Sequence, residues 1–286
     1  MRQAEKVDLG SDDWTMEIRP YASAFHFPIK ELWEYRDLLF LFVRRDFKTM
    51  YKQTILGPSW ILLSPLLTTG MFSLIFGRIA GISTDGTPAF LFYMAGNILW
   101  NYFSSCLSAA SSTFIGNAGL FGKVYFPRIV VPASSAVSKL ITFGAQFLLF
   151  LILLFCSLGS GQVRITWLCL MTPVLLVMLA LLAIGTGMIL ASLTAKYRDL
   201  QVLVGFGIQL WMYASPIVYP LSQIPGKWRI LLSLNPVAYI VECFRYGWLG
   251  SGNVSIPNLM IGLGITLLFV GTVMFNKTQR NFMDTV

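Results

Sequence analysis

From Leu140 to Leu158 not one residue carries a charge. That stretch constrains the fold more than any other feature, because about 20 apolar residues in a helix are needed to cross the hydrocarbon of a bilayer. A helix also pairs every backbone N–H and C=O within its own segment, as lipid demands. Similar stretches recur, and spans are expected at 55–79, 89–115, 133–158, 167–194, 200–219 and 256–275. Four exceed the required length, which implies tilt or protrusion beyond the membrane. Only 12% of the 286 residues are charged and mean hydropathy is +0.68, whereas about a quarter of a soluble domain is charged. The expected fold class is an all-α membrane protein with six transmembrane helices.

The short loops set the orientation. Arg44, Arg45, Lys48 and Lys52 precede the first span, Lys123 and Arg128 follow the second, Lys196 and Arg198 follow the fourth, and Lys277 and Arg280 follow the sixth. With six spans these all fall on one side, and Arg78, Arg164, Lys227, Arg229 and Arg245 fall on the other. The positive-inside bias then puts both termini in the cytoplasm. Lys139 lies within the third expected span, but Leu140 to Leu158 is itself long enough to cross. Its side chain can therefore snorkel to the cytoplasmic interface, and it is not read as a buried functional charge. The net charge of +8 comes mainly from isolated Lys and Arg residues in the later loops. Nucleic-acid binding would need bases clustered on a soluble face.

Residues 1–28 are polar and mixed, and are expected to form a loose cytoplasmic arm. Residues 29–54 are expected to form an amphipathic interface helix. At 100° per residue Ile29, Leu32, Trp33, Leu39, Phe40, Val43, Phe47, Met50 and Tyr51 share one face, and most of the charges share the other. A helix of that kind lies in the membrane interface. Residues 55–286 then make up the transmembrane domain. The charged start of the chain shows no cleavable signal peptide. Cys106, Cys156, Cys169 and Cys243 have no paired spacing, and His26 is the one histidine, so neither a disulfide framework nor a metal site is expected.

Residues 220–250 break the pattern of long spans. Pro225, Gly226, Asn235, Pro236 and Gly247 interrupt an aromatic-rich sequence. Asn235-Pro236 is a helix start, an Asn cap followed by proline in the first turn. The helix from Pro236 to about Gly247 is too short to span, so two short re-entrant helices are expected before the last span. Irregular backbone at that depth has to be buried in protein or line a cavity, which makes the region a candidate outer mouth of a pathway. Trp211, Tyr213, Tyr219, Trp228, Tyr239 and Phe244 are candidate pathway residues, with Asn235, Glu242 and Arg245. Aromatic rings stack on sugar faces with few fixed hydrogen bonds and let a chain slide; interfacial aromatic belts are the alternative reading. Glu242 and Arg245 stand at i, i+3 and are spaced to pair. Asn97, Gln146 and Gln209 either bond between helices or line the route.

A basic, aromatic, proline-ended segment, Gly122-Lys123-Val124-Tyr125-Phe126-Pro127-Arg128, lies within residues 120–131 between two apolar stretches. It looks superficially like a phosphate-binding loop, but it lacks the first glycine of G-x-x-x-x-G-K-[ST] at Asn117, and Val124 stands where Ser or Thr is required. No ATP chemistry is expected in this chain. Tyr125 and Phe126 suit anchoring in a pocket of a separate cytoplasmic protein, Lys123 and Arg128 suit pairing at its rim, and Pro127 fixes the exit direction. Tyr197-Arg198-Asp199 is a second cluster on the same side. An ion-coupled transporter usually places acids within its spans, and here Glu242 and Asp199 stand only at edges. A glycosyltransferase would need a metal-binding acidic motif such as D-x-D, which is absent.

Four ordered blocks then carry a specific resemblance: LGPSWILLSPLL (56–67), GKVYFPRIVVP (122–132), AKYRDLQVLVGFGIQLWMYASPIVYP (195–220) and LNPVAYIVECFR (234–245). Together they resemble the ABC-2 permeases that export bacterial O-antigen, capsule and teichoic acid, over nearly the whole chain beyond residue 29. The resemblance implies that 122–128 is similar to a coupling helix seated in an ATPase, that 29–52 is similar to the interface helix, and that 220–247 is similar to the re-entrant helices. It further implies a homodimer with two copies of an ABC ATPase that holds the ATP and Mg, a lipid-linked polysaccharide as substrate, and the bacterial inner membrane as location. Export of another lipid or a drug is the alternative within the family.

Overall fold

A computed structural model describes residues 33–51, 57–121, 123–124, 126–197, 199–226, 232 and 235–251. The N-terminal arm, the sixth expected span, the ends of the interface segment, and Tyr125, Arg198 and Trp228 lie outside the described residues. The long helices are α1 (Arg36–Tyr51), α2 (Trp60–Phe72), α3 (Ala89–Ser111), α4 (Val130–Ser157), α5 (Thr172–Lys196), α6 (Leu200–Tyr213) and α7 (Pro236–Leu249). No strand occurs among the described residues.

Among the described residues, three helical stretches are long and apolar enough to cross a membrane: Gly57–Ile79, Val130–Ser157 and Trp167–Lys196. They coincide with the first, third and fourth expected spans. The expected span 89–115 ends earlier, at Ser111, and two single-turn helices, Thr113–Gly116 and Ala118–Phe121, follow it. The expected span 200–219 is also shorter: α6 stops at Tyr213 after 14 residues, a rise of about 21 Å. Pro216 explains the stop, because proline disfavours a helical residue before it.

α3 is the centre of the molecule. Every residue from Leu91 to Trp100 is buried, and a helix buried all round needs neighbours on all sides. α2, α4, α5, α6 and α7 supply them. The closest crossing is with α5. A Cβ at Gly187 would overlap the Cβ of Ala110 and lie 3.2 Å from the Leu107 carbonyl, so the absent side chain is what lets the backbones approach, as in other small-residue membrane contacts. At the lower end of the same pair, the Thr194 hydroxyl donates to the Ser111 carbonyl at 3.0 Å.

α2 is interrupted by Pro65. Proline has no N–H, so the Ile61 carbonyl one turn earlier loses its helical partner. Gln146 of α4 takes that place, its Nε2 donating to Ile61 O at 3.3 Å. Asn97 of α3 lies 3.4 Å from the Thr69 hydroxyl on the next turn of α2. Of the two alternatives open for these amides in the sequence, both therefore bond between helices.

α1 crosses the foot of α4. Leu39, Phe42 and Val43 are buried in one cluster with Ile129, Val130 and Val131. The expected apolar face is thus divided, because Trp33, Phe40 and Phe47 remain exposed beside it.

Replacing Gly187 with Ala tests the central crossing. Overpacking costs about 1–3 kcal/mol, so Gly187→Ala should lower the thermal unfolding midpoint of the detergent-purified protein. Adding Ala110→Gly should recover most of the loss, since the two sites share one contact. An unchanged midpoint for the single variant would mean that the crossing tolerates a side chain.

Candidate functional site

The 120–131 segment divides into an outward tip and an inward anchor. Lys123 is exposed and Val124 is 54% exposed. Phe126 is only 5% exposed and Arg128 only 6%. The Phe126 ring meets Phe42 of α1 edge-on at 5.7 Å and Phe121 at 5.6 Å. The Arg128 guanidinium lies 5.1 Å from the Phe121 ring centre and 5.9 Å from that of Phe114, a geometry in which the ring faces attract the cation. Pro127 is also buried, and its carbonyl accepts from Val130 N at 3.0 Å to open α4. Phe126 and Arg128 therefore do not stand on the surface where a partner's pocket or rim would meet them. Phe42 of α1 already covers Phe126, and the rings of Phe114 and Phe121 already take Arg128. The dense run Phe114, Phe121 and Phe126 was the sequence sign that this loop has its own core.

The 197–199 turn belongs to the same end of the bundle. Ala191 of α5 is buried in the cluster that holds Phe126, and Ala195 packs against it. Tyr197 is exposed, with Lys196 Nζ 5.1 Å from its ring centre. Asp199 is exposed, and its carbonyl accepts from Val202 N at 3.1 Å in the first turn of α6.

At the opposite end, side chains of α7 close the break after α6. Asn235 caps α7, its Oδ1 accepting from Val237 N at 3.1 Å. The same oxygen accepts from the Trp211 indole at 3.1 Å. Its Nδ2 donates to Ala214 O at 3.0 Å and Ser215 Oγ at 2.8 Å. One amide thus caps one helix and terminates another.

Arg245 is 2% exposed. It donates to Pro216 O at 2.5 Å, Ile217 O at 2.6 Å and Phe92 O at 3.3 Å, and its guanidinium sits 3.7 Å from the Phe92 ring centre. Gly96 makes the room, because a Cβ there would come 2.6 Å from Arg245 Nη2. Glu242 is buried and accepts from Leu221 N at 3.1 Å. The i, i+3 spacing brings these two side chains within electrostatic reach of each other, and both also reach out of α7, Glu242 to Leu221, and Arg245 to Phe92, Pro216 and Ile217. The carbonyls of residues 216 and 217 carried no sequence signal, because an acceptor of this kind is present in every residue.

The aromatic candidates also divide. Phe244 is fully buried in a ring cluster with Phe147, Phe150 and Trp248. Trp211 is half-buried and meets Phe103 edge-on at 5.1 Å. Tyr213 is 55% exposed. The Tyr219 hydroxyl donates to the Tyr213 carbonyl at 3.0 Å, and both Tyr219 and Tyr239 are half-buried.

Arg245→Met keeps much of the volume but leaves the Pro216 and Ile217 carbonyls without this donor. Each unsatisfied buried group costs about 1–3 kcal/mol, so the loss should exceed that of Gly187→Ala in the same unfolding assay. Arg245→Lys should recover little, since an ammonium cannot spread over three acceptors as a guanidinium fork does. A full recovery by lysine would reduce Arg245 to a point charge.

The ABC-2 type transporter family profile matches residues 37–249. The O-antigen export system permease protein RfbA of Klebsiella pneumoniae is 28% identical over 87% of this chain and 94% of its own length. The Myxococcus xanthus protein of the same name is also 28% identical, over 90% of this chain and 98% of its own. The polysialic acid transport protein KpsM of Escherichia coli is 26% identical over 87% of this chain and 95% of its own. A profile that runs from the second residue of α1 to the last residue of α7 takes in both ends of the bundle, and this chain belongs to the ABC-2 type transporter membrane family.

Proposed function

We propose that this chain is the membrane subunit of an ATP-driven exporter, and that it carries a lipid-linked polysaccharide of O-antigen or capsule type across the bacterial inner membrane. The observation that carries the reading is the near end-to-end match with permeases named for O-antigen export and polysialic acid transport. An Escherichia coli relative named only as the inner membrane transport permease YadH, 24% identical over 74% of the chain, keeps a second reading open, export of another lipid or a drug.

The chain acts as a passive conduit, with ATP and Mg held by a separate ATPase. On the positive-inside reading the α1 end is cytoplasmic. Lys123 and Val124 form the outward tip that meets the ATPase, with Tyr197 and Asp199 at the same end. Tyr125 and Arg198 complete these two clusters in sequence. Phe126, Pro127 and Arg128 act one step behind. They fix the tip to α1, α4 and α5, so that displacement of the tip is passed to the bundle.

Two copies form the conduit. α2 and α6 leave many apolar side chains exposed, among them Leu67, Met71, Val202, Leu203 and Phe206, and a two-fold assembly suits a channel wide enough for sugar between subunits. Tyr213, Tyr219, Tyr239, Trp211 and Trp228 are the aromatic candidates for the route. Asn235, Glu242, Phe244 and Arg245 hold its frame.

Charge reversal at the tip tests the coupling role. Lys123→Glu with Val124→Glu should reduce co-purification of the co-expressed ATPase about ten-fold or more, equivalent to about 1.4 kcal/mol or more of contact energy, with insertion of the permease unchanged. Phe126→Ala should instead lower the thermal stability of the permease alone. If no ATP-binding protein co-purifies with the unaltered chain, the exporter reading fails.

A further inference from the structure

A cavity of about 310 Å³ lies between α2, α3 and α4. Its polar lining includes Ser64 of α2, Asn101 and Ser105 of α3, and Lys139 and Thr142 of α4. Among the described residues no Asp or Glu lines it. Lys139, the Asn101 amide and the Ser105 and Thr142 hydroxyls make no hydrogen bond or ion pair with any described residue. Lys139 thus shares the cavity wall with Ser64, Asn101, Ser105 and Thr142, side chains that can all donate. The complement of that set is a compact anion with several acceptor oxygens, and a phosphate satisfies it through charge-assisted hydrogen bonds.

The position says how such a phosphate arrives. Val137, on the turn of α4 that carries Lys139, packs against the α1 cluster. Lys139 itself is nine residues after the start of α4, about 14 Å along the helix. The α2 wall beside the cavity exposes Trp60, which lines it, and Leu62, an apolar surface along which hydrocarbon chains can lie. We propose that the Lys139 cavity binds the phosphate group of a lipid in the leaflet on the α1 side. The lipid is either a bulk phospholipid or a phosphorylated prenyl carrier, and both present the same anion above an apolar tail. The exporter reading enters only in calling that leaflet cytoplasmic.

Native mass spectrometry of the full-length permease in detergent tests this, with phosphatidylglycerol, farnesyl phosphate, diacylglycerol and inorganic phosphate as probes. The unaltered chain should bind at least one of the two phosphorylated lipids well above diacylglycerol. Lys139→Gln should weaken that binding about 10- to 100-fold, the range for losing one charge-assisted contact. Lys139→Arg should restore it to within about three-fold, since the charge is kept. Binding of farnesyl phosphate alone identifies a prenyl carrier, and binding of phosphatidylglycerol alone a membrane phospholipid; either supports the proposal. Ser105→Ala with Thr142→Val provides a second variant that keeps the charge, and should weaken binding several-fold should Lys139→Gln fail to fold. Equal binding of diacylglycerol, unchanged binding by both variants, or inorganic phosphate binding as tightly as the lipids would overturn it. No ATPase or polymer takes part, so a negative result here leaves the exporter reading untouched, and a failed co-purification leaves this proposal standing.

Discussion

Where the chain turns after α6, the carbonyls of residues 214, 216 and 217 are left without helical partners, and α7 supplies the donors for all three. α6 rises only about 21 Å, less than the roughly 30 Å of a bilayer core, so this turn lies short of the far surface. Orphaned backbone groups at such depth are costly. Asn235 and Arg245 stand on one short helix and together close the break. Arg245 also reaches Phe92 on α3, which ties the turn to the most enclosed helix of the molecule. The packing of α3, the start of α7 and the end of α6 all depend on that one set of side-chain-to-carbonyl bonds.

Four buried or part-buried polar side chains follow one rule. Gln146 replaces the donor that Pro65 lacks, Thr194 answers Ser111 at the lower end, and Asn235 and Arg245 close the far end. Each joins segments distant in sequence, and each places a polar side chain where the backbone is irregular or a helix ends. In an apolar solvent hydrophobicity does not select helix neighbours, so small residues and hydrogen bonds do. Gly187 and Gly96 serve the same purpose by removing a side chain, one for a backbone and one for a guanidinium.

The 120–131 segment illustrates how much of a site is legible in a sequence. Its basic-aromatic character marked it as unusual, and Lys123 and Val124 do stand outward. The sequence did not reveal that Phe126 and Arg128 turn inward: Phe126 meets α1, which folds across it from some 80 residues upstream, and Arg128 meets the rings of Phe114 and Phe121. The same limit applied to Phe244, an aromatic on an aromatic-rich helix, whose neighbours Phe147 and Phe150 come from α4. The Asn235 cap was readable because Asn followed by Pro is a local signal. Its bonds to Trp211, Ala214 and Ser215 were not, because they are set by how two helices meet.

By itself the sequence determined the class of fold, the positions of the first, third and fourth apolar helices, the start of α7 and the segments worth suspecting. These follow from hydropathy over about 20 residues and from local backbone chemistry, which act within a single segment. The tertiary structure alone decided which helix is central and which candidate side chains face inward. It also turned Lys139 from an isolated charge near a helix end into the cation of a polar cavity. Those outcomes depend on contacts between residues far apart in the chain, and in lipid such contacts are selected by close fit and by paired polar groups, neither of which leaves a periodic mark in the sequence.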